Sequence, residues 1–163
     1  MRRAASSKSI LDEKDELLLT LLQENAELPL SKLGEALGLT KMGVSNRIKN
    51  LKKAGILEGA HYRVNPMAVG QDYLMICQVS CARPGLGQEK IAAQIANIAG
   101  VQAVYLNFGT WDIMFLARRR DKESAKQLLY EVSKIPGIRN TLTTIPHTIF
   151  KESLALSFNS HGL

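Results

Sequence analysis

The chain predicts an α+β architecture in two small domains, three helices first and a doubled β-α-β repeat after them. Three observations carry that expectation. Over residues 11–54 the apolar side chains recur every three or four positions, the period of a half-buried helix. From Tyr73 onward they alternate, as a strand requires, and two helix-to-strand corners match: Ile98-Ala99-Gly100-Val101 and Ile135-Pro136-Gly137-Ile138. Between the patterns lies a punctuated stretch around Asn65, Pro66 and Gly70. With 163 residues there is room for one large or two small domains. The expected division is a disordered basic arm over 1–10, a helical domain over 11–65, a linker over 66–72, an α+β domain over 73–152 and a tail over 153–163.

The first helix begins at Asp12, an N-cap residue, with Asp15 three positions on where a capping-box acid stands. Leu18, Leu21 and Leu22 supply its buried side. The second reads Ser31 as N-cap, Glu35 near its start, and Leu33, Ala36 and Leu37 as its apolar stripe. It breaks at Ala36-Leu37-Gly38-Leu39-Thr40, so short a turn that the next helix must cross it steeply. Gly38 suits a left-handed helix end and Thr40 caps a third helix running from Lys41 to Ala54. After Gly55, the run Ile56 to Val64 alternates around Gly59 and predicts a small strand pair. Three helices around one core with such a wing make a winged helix-turn-helix.

Charge says which face of that unit is used. From Asp12 to Glu35 the acids Asp12, Glu13, Asp15, Glu16, Glu24, Glu27 and Glu35 outnumber Lys14 and Lys32. From Ala36 to Leu57 the bases Lys41, Arg47, Lys49, Lys52 and Lys53 meet no acid. On the third helix Val44, Ile48 and Leu51 recur on the buried side, leaving Lys41, Ser45, Asn46, Lys49 and Lys52 outward with Arg47 and Lys53 flanking. A solvated helix ordinarily mixes signs. An all-cationic one neutralises phosphates, so the expected partner is double-stranded DNA. Ser45 and Asn46 suit base edges in the major groove, while Arg47, Lys49 and Lys53 suit backbone phosphates or a guanine edge.

Other classes are disfavoured. The net charge of +6 fits an acidic partner but also many soluble proteins. No apolar run approaches the roughly 20 residues of a membrane-spanning helix, and residues 1–10 lack the apolar centre of a signal peptide, so a cytoplasmic protein is expected. Arg2, Arg3, Ser6, Ser7 and Lys8 form the basic arm, to which no role is assigned. Cys77 and Cys81, four apart on a predicted strand rising about 3.3 Å per residue, lie too far apart for a bridge limited to about 7 Å. Without further ligands nearby they predict buried packing and no metal or other cofactor.

In the second half, Tyr73 to Cys81 reads as a strand, Gln88 to Ala99 as a helix with Ile91, Ile95 and Ile98 on one side, and Gly100-Val101 opens a strand to Phe108. The unit then repeats. Ile113 to Arg118 is a strand, Asp121 caps a helix that buries Ala125, Leu128, Leu129, Val132 and Ile135, and Gly137-Ile138 opens a last strand through about Phe150. Doubled β-α-β is the ferredoxin-like βαββαβ plan. Pro146 requires the last strand to lie at a sheet edge. Two helices cover one face of such a sheet, so the other should turn polar. It does not: Tyr73, Met75, Cys77 and Val79 oppose Leu74 and Ile76, and Ile113 and Phe115 oppose Met114 and Leu116. A second copy of the sheet is the economical cover, which predicts a homodimer through this domain.

The hairpin Asn107-Phe108-Gly109-Thr110-Trp111-Asp112 admits two readings. Gly and Asp are ordinary turn residues and a lone Trp can anchor a loop. Alternatively, backbone N–H groups near Gly109 meet a carboxylate and Asp112 an ammonium, a pairing suited to an amino acid.

Leu11-Asp12-Glu13-Lys14-Asp15, Leu39-Thr40, Val44 through Leu51, Ala54-Gly55-Ile56, Asn65-Pro66, Gly100-Val101 and Gly109-Thr110-Trp111-Asp112-Ile113, in this order and spacing, resemble the Lrp/AsnC (leucine-responsive, feast or famine) family of prokaryotic transcription regulators. The likeness spans about residues 10 to 152. It implies a winged helix-turn-helix joined to a ferredoxin-like domain that dimerises through its sheets and often builds octamers. It further implies an amino-acid or related effector bound between dimers, lined by the hairpin with Gly109, Thr110, Trp111 and Asp112, and with Tyr105, Asn107 and the Thr141, Thr143 and Thr144 strand as neighbours. That favours the pocket reading over the plain turn. Many members carry arginine where Asn46 stands, so the resemblance implies a base preference different from theirs at this position.

Two rival functions remain. One is an architectural DNA-binding protein of little sequence preference. The other is an enzyme resembling the haem-pathway decarboxylases built on a similar two-domain plan. Against the enzyme, His61, His147 and His161 are scattered and no Ser-His-Asp, Cys-His or metal-ligand set is visible.

Overall fold

The computed structural model describes residues 11–82 and 87–158. The basic arm expected over residues 1–10 lies outside them, as do residues 159–163. The chain divides into two compact units, one formed by residues 11–63 together with 152–158, the other by Val64–Lys151.

The first unit contains α1 (Glu13–Glu24), α2 (Leu30–Leu37) and α3 (Lys41–Lys53). Asp12 caps α1 and closes a full capping box with Asp15, each side chain accepting from the other's backbone N–H. Such a cap contributes about 1 kcal/mol. Ser31 does not cap α2. That helix starts two residues earlier, where the Pro29 carbonyl accepts from Lys32 and Leu33, and Ser31 stands exposed in its first turn. The α2 stripe also differs from expectation, since Leu33, Gly34 and Leu37 are buried while Ala36 is exposed. Gly34 is buried because the following turn folds back onto it: a Cβ there would sit 2.6 Å from the Leu39 carbonyl oxygen, which no side chain tolerates. Gly38 ends α2 in the left-handed conformation, with φ 62°.

Leu18, Leu19, Leu33, Leu37, Val44 and Leu51 form the core of this unit, with Leu21, Leu22, Ile48, Ile56 and Phe158 packed around it. A fully buried leucine or valine stabilises by about 1.5–3 kcal/mol, so these few side chains carry most of what holds three short helices together. The predicted wing is corrected: residues 54–72 carry neither helix nor strand. Alternating side chains do not suffice for a hairpin, because an isolated strand pair is at best marginally stable in water.

The second unit runs β1 (Tyr73–Cys81), α4 (Gln88–Ala96), β2 (Val101–Leu106), β3 (Ile113–Arg119), α5 (Lys122–Ser133) and β4 (Ile138–Thr144). Its four strands lie in the order β2-β3-β1-β4, all neighbours antiparallel, which is the ferredoxin-like arrangement. Cys77 pairs with Phe115 on one side and Thr143 on the other. The two corners match as expected, both turning through a glycine with positive φ, 83° at Gly100 and 96° at Gly137. At Gly100 a Cβ would also meet the Arg118 carbonyl oxygen at 2.8 Å.

Met75, Cys77, Val79, Cys81, Ile113, Phe115 and Ala117 face α4 and α5, where Ile91, Ile95, Ala125, Leu128, Val132 and Ile135 meet them. Both cysteines are free thiols in this core. β4 is an edge strand, but it ends at Thr144, so Pro146 lies beyond the ladder rather than within it. A proline cannot donate to the sheet and restricts the residue before it, which stops the strand early. Among the described residues no helix is long and apolar enough to cross a membrane.

Candidate functional site

The candidate nucleic-acid interface begins at Thr40, whose hydroxyl accepts from the Gly43 N–H at 3.1 Å and starts α3. Val44 and Leu51 are buried and Ile48 is half-buried, which turns Lys41, Ser45, Asn46, Lys49, Lys52 and Lys53 to solvent. Met42 joins them at 69% exposure, an apolar contact among cations that periodicity does not anticipate. With no acid in its first turn and its amide groups pointing outward, the N-terminus of α3 adds the partial positive charge of the helix dipole to Lys41.

Arg47 does not join that face. Its Nη1 donates to Asp12 Oδ2 and Asp15 Oδ1, both at 2.7 Å, across 35 and 32 residues of sequence. Its side chain keeps 28% of its surface and that of Asp15 only 16%. The Asp15 and Asp12 carboxylates together raise the guanidinium pKa further above its ordinary value. Arg47, expected as a duplex contact, is engaged here through its Nη1 in a tie between α3 and α1. Farther along, the Tyr62 hydroxyl donates to the Glu27 carboxylate, which joins the segment after α3 to the loop after α1 and pushes the phenol pKa up.

The candidate effector site is the turn between β2 and β3. The Asn107 N–H donates to the Asp112 carbonyl at 2.8 Å and closes the turn, leaving Phe108, Gly109 and Thr110 exposed and Trp111 half-buried. The Asp112 carboxylate accepts from the Cys81 N–H at 2.6 Å and from Gln88 Nε2 at 2.5 Å, and the Asp112 N–H donates to the Val79 carbonyl at 2.9 Å. It therefore stitches the hairpin to the end of β1 and the first turn of α4. Burial pushes the Cys81 thiol pKa up, and the Asp112 charge adds to that shift. Gln88 is a partner that sequence reasoning missed, since nothing in its neighbourhood marks it.

Asn107, Gly109, Thr110, Trp111 and Asp112 stand together on this turn. Within one chain the outlying residues do not converge on it. Tyr105 pairs with Met114 and so lies on the uncovered face, whereas Thr143 pairs with Cys77, its Oγ1 3.4 Å from the Cys77 Sγ, on the helix-covered face. Strands β3 and β1 intervene, a lateral separation of about 14 Å at the usual strand spacing. Among the described residues, no group of three or more His, Cys, Asp or Glu side chains is placed to hold a metal.

Comparison with known proteins matches the geometry. Residues 11–52 match the AsnC-type helix-turn-helix domain and residues 74–156 the Lrp/AsnC ligand binding domain. An HTH-type transcriptional regulator of Pyrococcus furiosus is 30% identical over 148 residues, covering 89% of this chain and 98% of that protein. The regulator LrpA of Pyrococcus horikoshii is 28% identical over 137 residues, covering 83% and 96%. Among solved structures, a Neisseria meningitidis transcriptional regulator in complex with L-Met superposes with a TM-score of 0.85 at 23% identity, covering 91% of this chain and 97% of that one. AsnC of E. coli gives 0.82 at 22% identity, covering 88% and 96%. Its relatives are DNA-binding regulators rather than enzymes, and the chain belongs to the Lrp/AsnC family of HTH-type transcriptional regulators.

Proposed function

We propose that the protein is a sequence-specific DNA-binding regulator of the cytoplasm that works as a homodimer and answers to an amino acid or a related small effector. The observation that carries this reading is the outward face of α3, where Lys41, Ser45, Asn46, Lys49, Lys52 and Lys53 stand exposed with no acid among them. In this reading Ser45 and Asn46 address base edges while Lys41, Lys49 and Lys53 hold phosphates.

Dimerisation is supported by the uncovered sheet face. Ile76, Met114, Leu116, Ala103 and Tyr105 line it, half-buried or exposed on the side of the sheet away from α4 and α5. A two-fold pair would present two α3 helices to the duplex. The sites it protects should then be palindrome-like, with half-sites about 10 base pairs or a multiple apart. Larger assemblies such as octamers would repeat that spacing.

The effector reading rests on the hairpin. An amino acid's carboxylate meets exposed backbone N–H groups near Gly109, and its ammonium meets Asp112, whose carboxylate has two acceptor positions filled of the roughly four it offers. The Neisseria relative solved with L-Met supports this ligand class.

The test selects bound duplexes from a random pool, then footprints them with and without each free amino acid. Discrete, evenly phased sites whose occupancy changes with one amino acid are expected. Uniform coating of any duplex would replace this reading with an architectural one.

A further inference from the structure

We infer that Arg47 is a positioning residue, which sets the rotation of the DNA-reading helix by locking it to the first turn of α1. The inference rests on α3 being the reading helix.

The two carboxylates it grips are themselves held. Asp12 uses Oδ1 to accept from the Asp15 N–H at 2.8 Å and Oδ2 for Arg47, while Asp15 uses Oδ2 for the Asp12 N–H at 3.4 Å and Oδ1 for Arg47. Each aspartate thus gives one oxygen to its own helix cap and the other to α3. A single guanidinium nitrogen donates to both. The capping box, built for α1, doubles as a rigid socket for a residue of α3.

The tie adds a directional constraint to the apolar packing of α3. Val44 and Leu51 hold α3 against the core, but dispersion contacts are individually weak and not directional, and Ile48 beside them is only half-buried. Rotation about the helix axis matters more to the exposed side chains than to the buried ones. At an outer radius of about 5–6 Å, turning a helix by 10° carries a side chain sideways by about 1 Å. That exceeds the positional tolerance of about 0.5 Å that a precise contact allows. Asn46 and Lys49 sit one position before and two after Arg47, so their azimuth follows directly from where the guanidinium is anchored.

This role separates Arg47 from the cations around it by a measurable signature. A phosphate contact contributes to the salt dependence of binding, whereas a positioning residue contributes to the ratio of specific to random binding.

The experiment uses the full chain, one duplex selected from a random pool, and one random duplex. Arg47→Ala, Arg47→Lys, Asp15→Asn and the double variant Arg47→Ala/Asp15→Asn are compared with wild type by thermal unfolding and by binding across a salt series. For Arg47→Ala the specificity ratio should fall about ten-fold or more, the scale of one misread base pair. The slope of log K against log salt should stay at the wild-type value, and Arg47→Lys should recover part of the ratio. Without DNA, the Tm losses of Arg47→Ala and Asp15→Asn should be less than additive in the double variant. A slope shallower by about 0.9, the signature of one lost phosphate, would overturn the assignment, as would additive Tm losses. Wild type failing to bind any duplex would remove the DNA reading and the positioning role with it, while the Tm cycle would still report whether the tie exists.

Discussion

The side-chain amide of Gln23 closes a two-bond ring with the backbone of Leu156, accepting from its N–H at 2.7 Å and donating to its carbonyl at 3.1 Å across 133 residues of sequence. With Phe158 packed against the helical core, the segment from Glu152 belongs to the DNA-binding unit although the chain reaches it last.

Truncation after Lys151 should therefore weaken the helical unit. Two neutral hydrogen bonds and one half-buried aromatic correspond to about 1–3 kcal/mol in total, most of it from Phe158. Circular dichroism of thermal unfolding should show the helical transition moving down, and Gln23→Ala should reproduce a minor part of that shift. An unchanged transition after truncation would mean that the tail is incidental.

Gly34→Ala adds a methyl group 2.6 Å from the Leu39 carbonyl oxygen, which belongs to backbone and has no rotamer to move into. Overpacking of this kind costs about 1–3 kcal/mol. Urea unfolding should show a lower midpoint, and because the displaced turn leads straight into α3, duplex binding should weaken in the same variant. Full retention of both would show that the turn relaxes freely.

Asp112 is best tested with two substitutions. Asp112→Ala leaves the Cys81 N–H and the Gln88 amide without their acceptor, and an orphaned part-buried donor costs about 1–3 kcal/mol. Asp112→Asn keeps one accepting oxygen and the shape. Asp112→Asn should therefore remain well folded, DNA-competent and in the wild-type oligomeric state while losing the thermal shift given by the amino acid that stabilises wild type. An undiminished shift would return the hairpin to an ordinary turn.

Desolvation at the end of α1 pushes the Asp12 carboxyl up, but the Arg47 guanidinium and the Asp15 N–H outweigh it and hold the group below its ordinary 3.8. A folded-state value below the unfolded one stabilises above about pH 4, and this contribution is lost as pH falls further. The Tm difference between wild type and Arg47→Ala should accordingly shrink on going from about pH 6 to about pH 3. A difference that stays constant over this range would mean that the pair adds nothing to stability.

On the recognition face, Lys49→Ala should weaken binding to selected and random duplexes alike and reduce the salt slope by about 0.9. Ser45→Ala and Asn46→Ala should leave the slope intact and change which bases are preferred. Equal losses on both duplexes for all three would remove the distinction between phosphate and base contacts.

Local signals determined much of this protein without reference to anything distant. The side chains of Asp12, Thr40 and Asp121 start their helices because a cap acts within one turn, and strand alternation marked β1 and β3 residue by residue along with the apolar character of both sheet faces. The paired Gly100 and Gly137 corners followed from the same short-range logic. What the tertiary structure alone decided lies where two segments meet. Arg47 looks like any other cation of α3 until the crossing of α1 and α3 sets Asp12 and Asp15 beside it, and Gly34 looks like a weak point in α2 until the Leu39 carbonyl folds onto it. Thr143 falls on the helix side through a register with Cys77 that no strand pattern by itself specifies, and the tail joins the first unit through Gln23. Caps and periodicity act over one turn or one pleat, whereas ion pairs and close backbone contacts depend on how separate elements cross, and that crossing is settled only when the whole core packs.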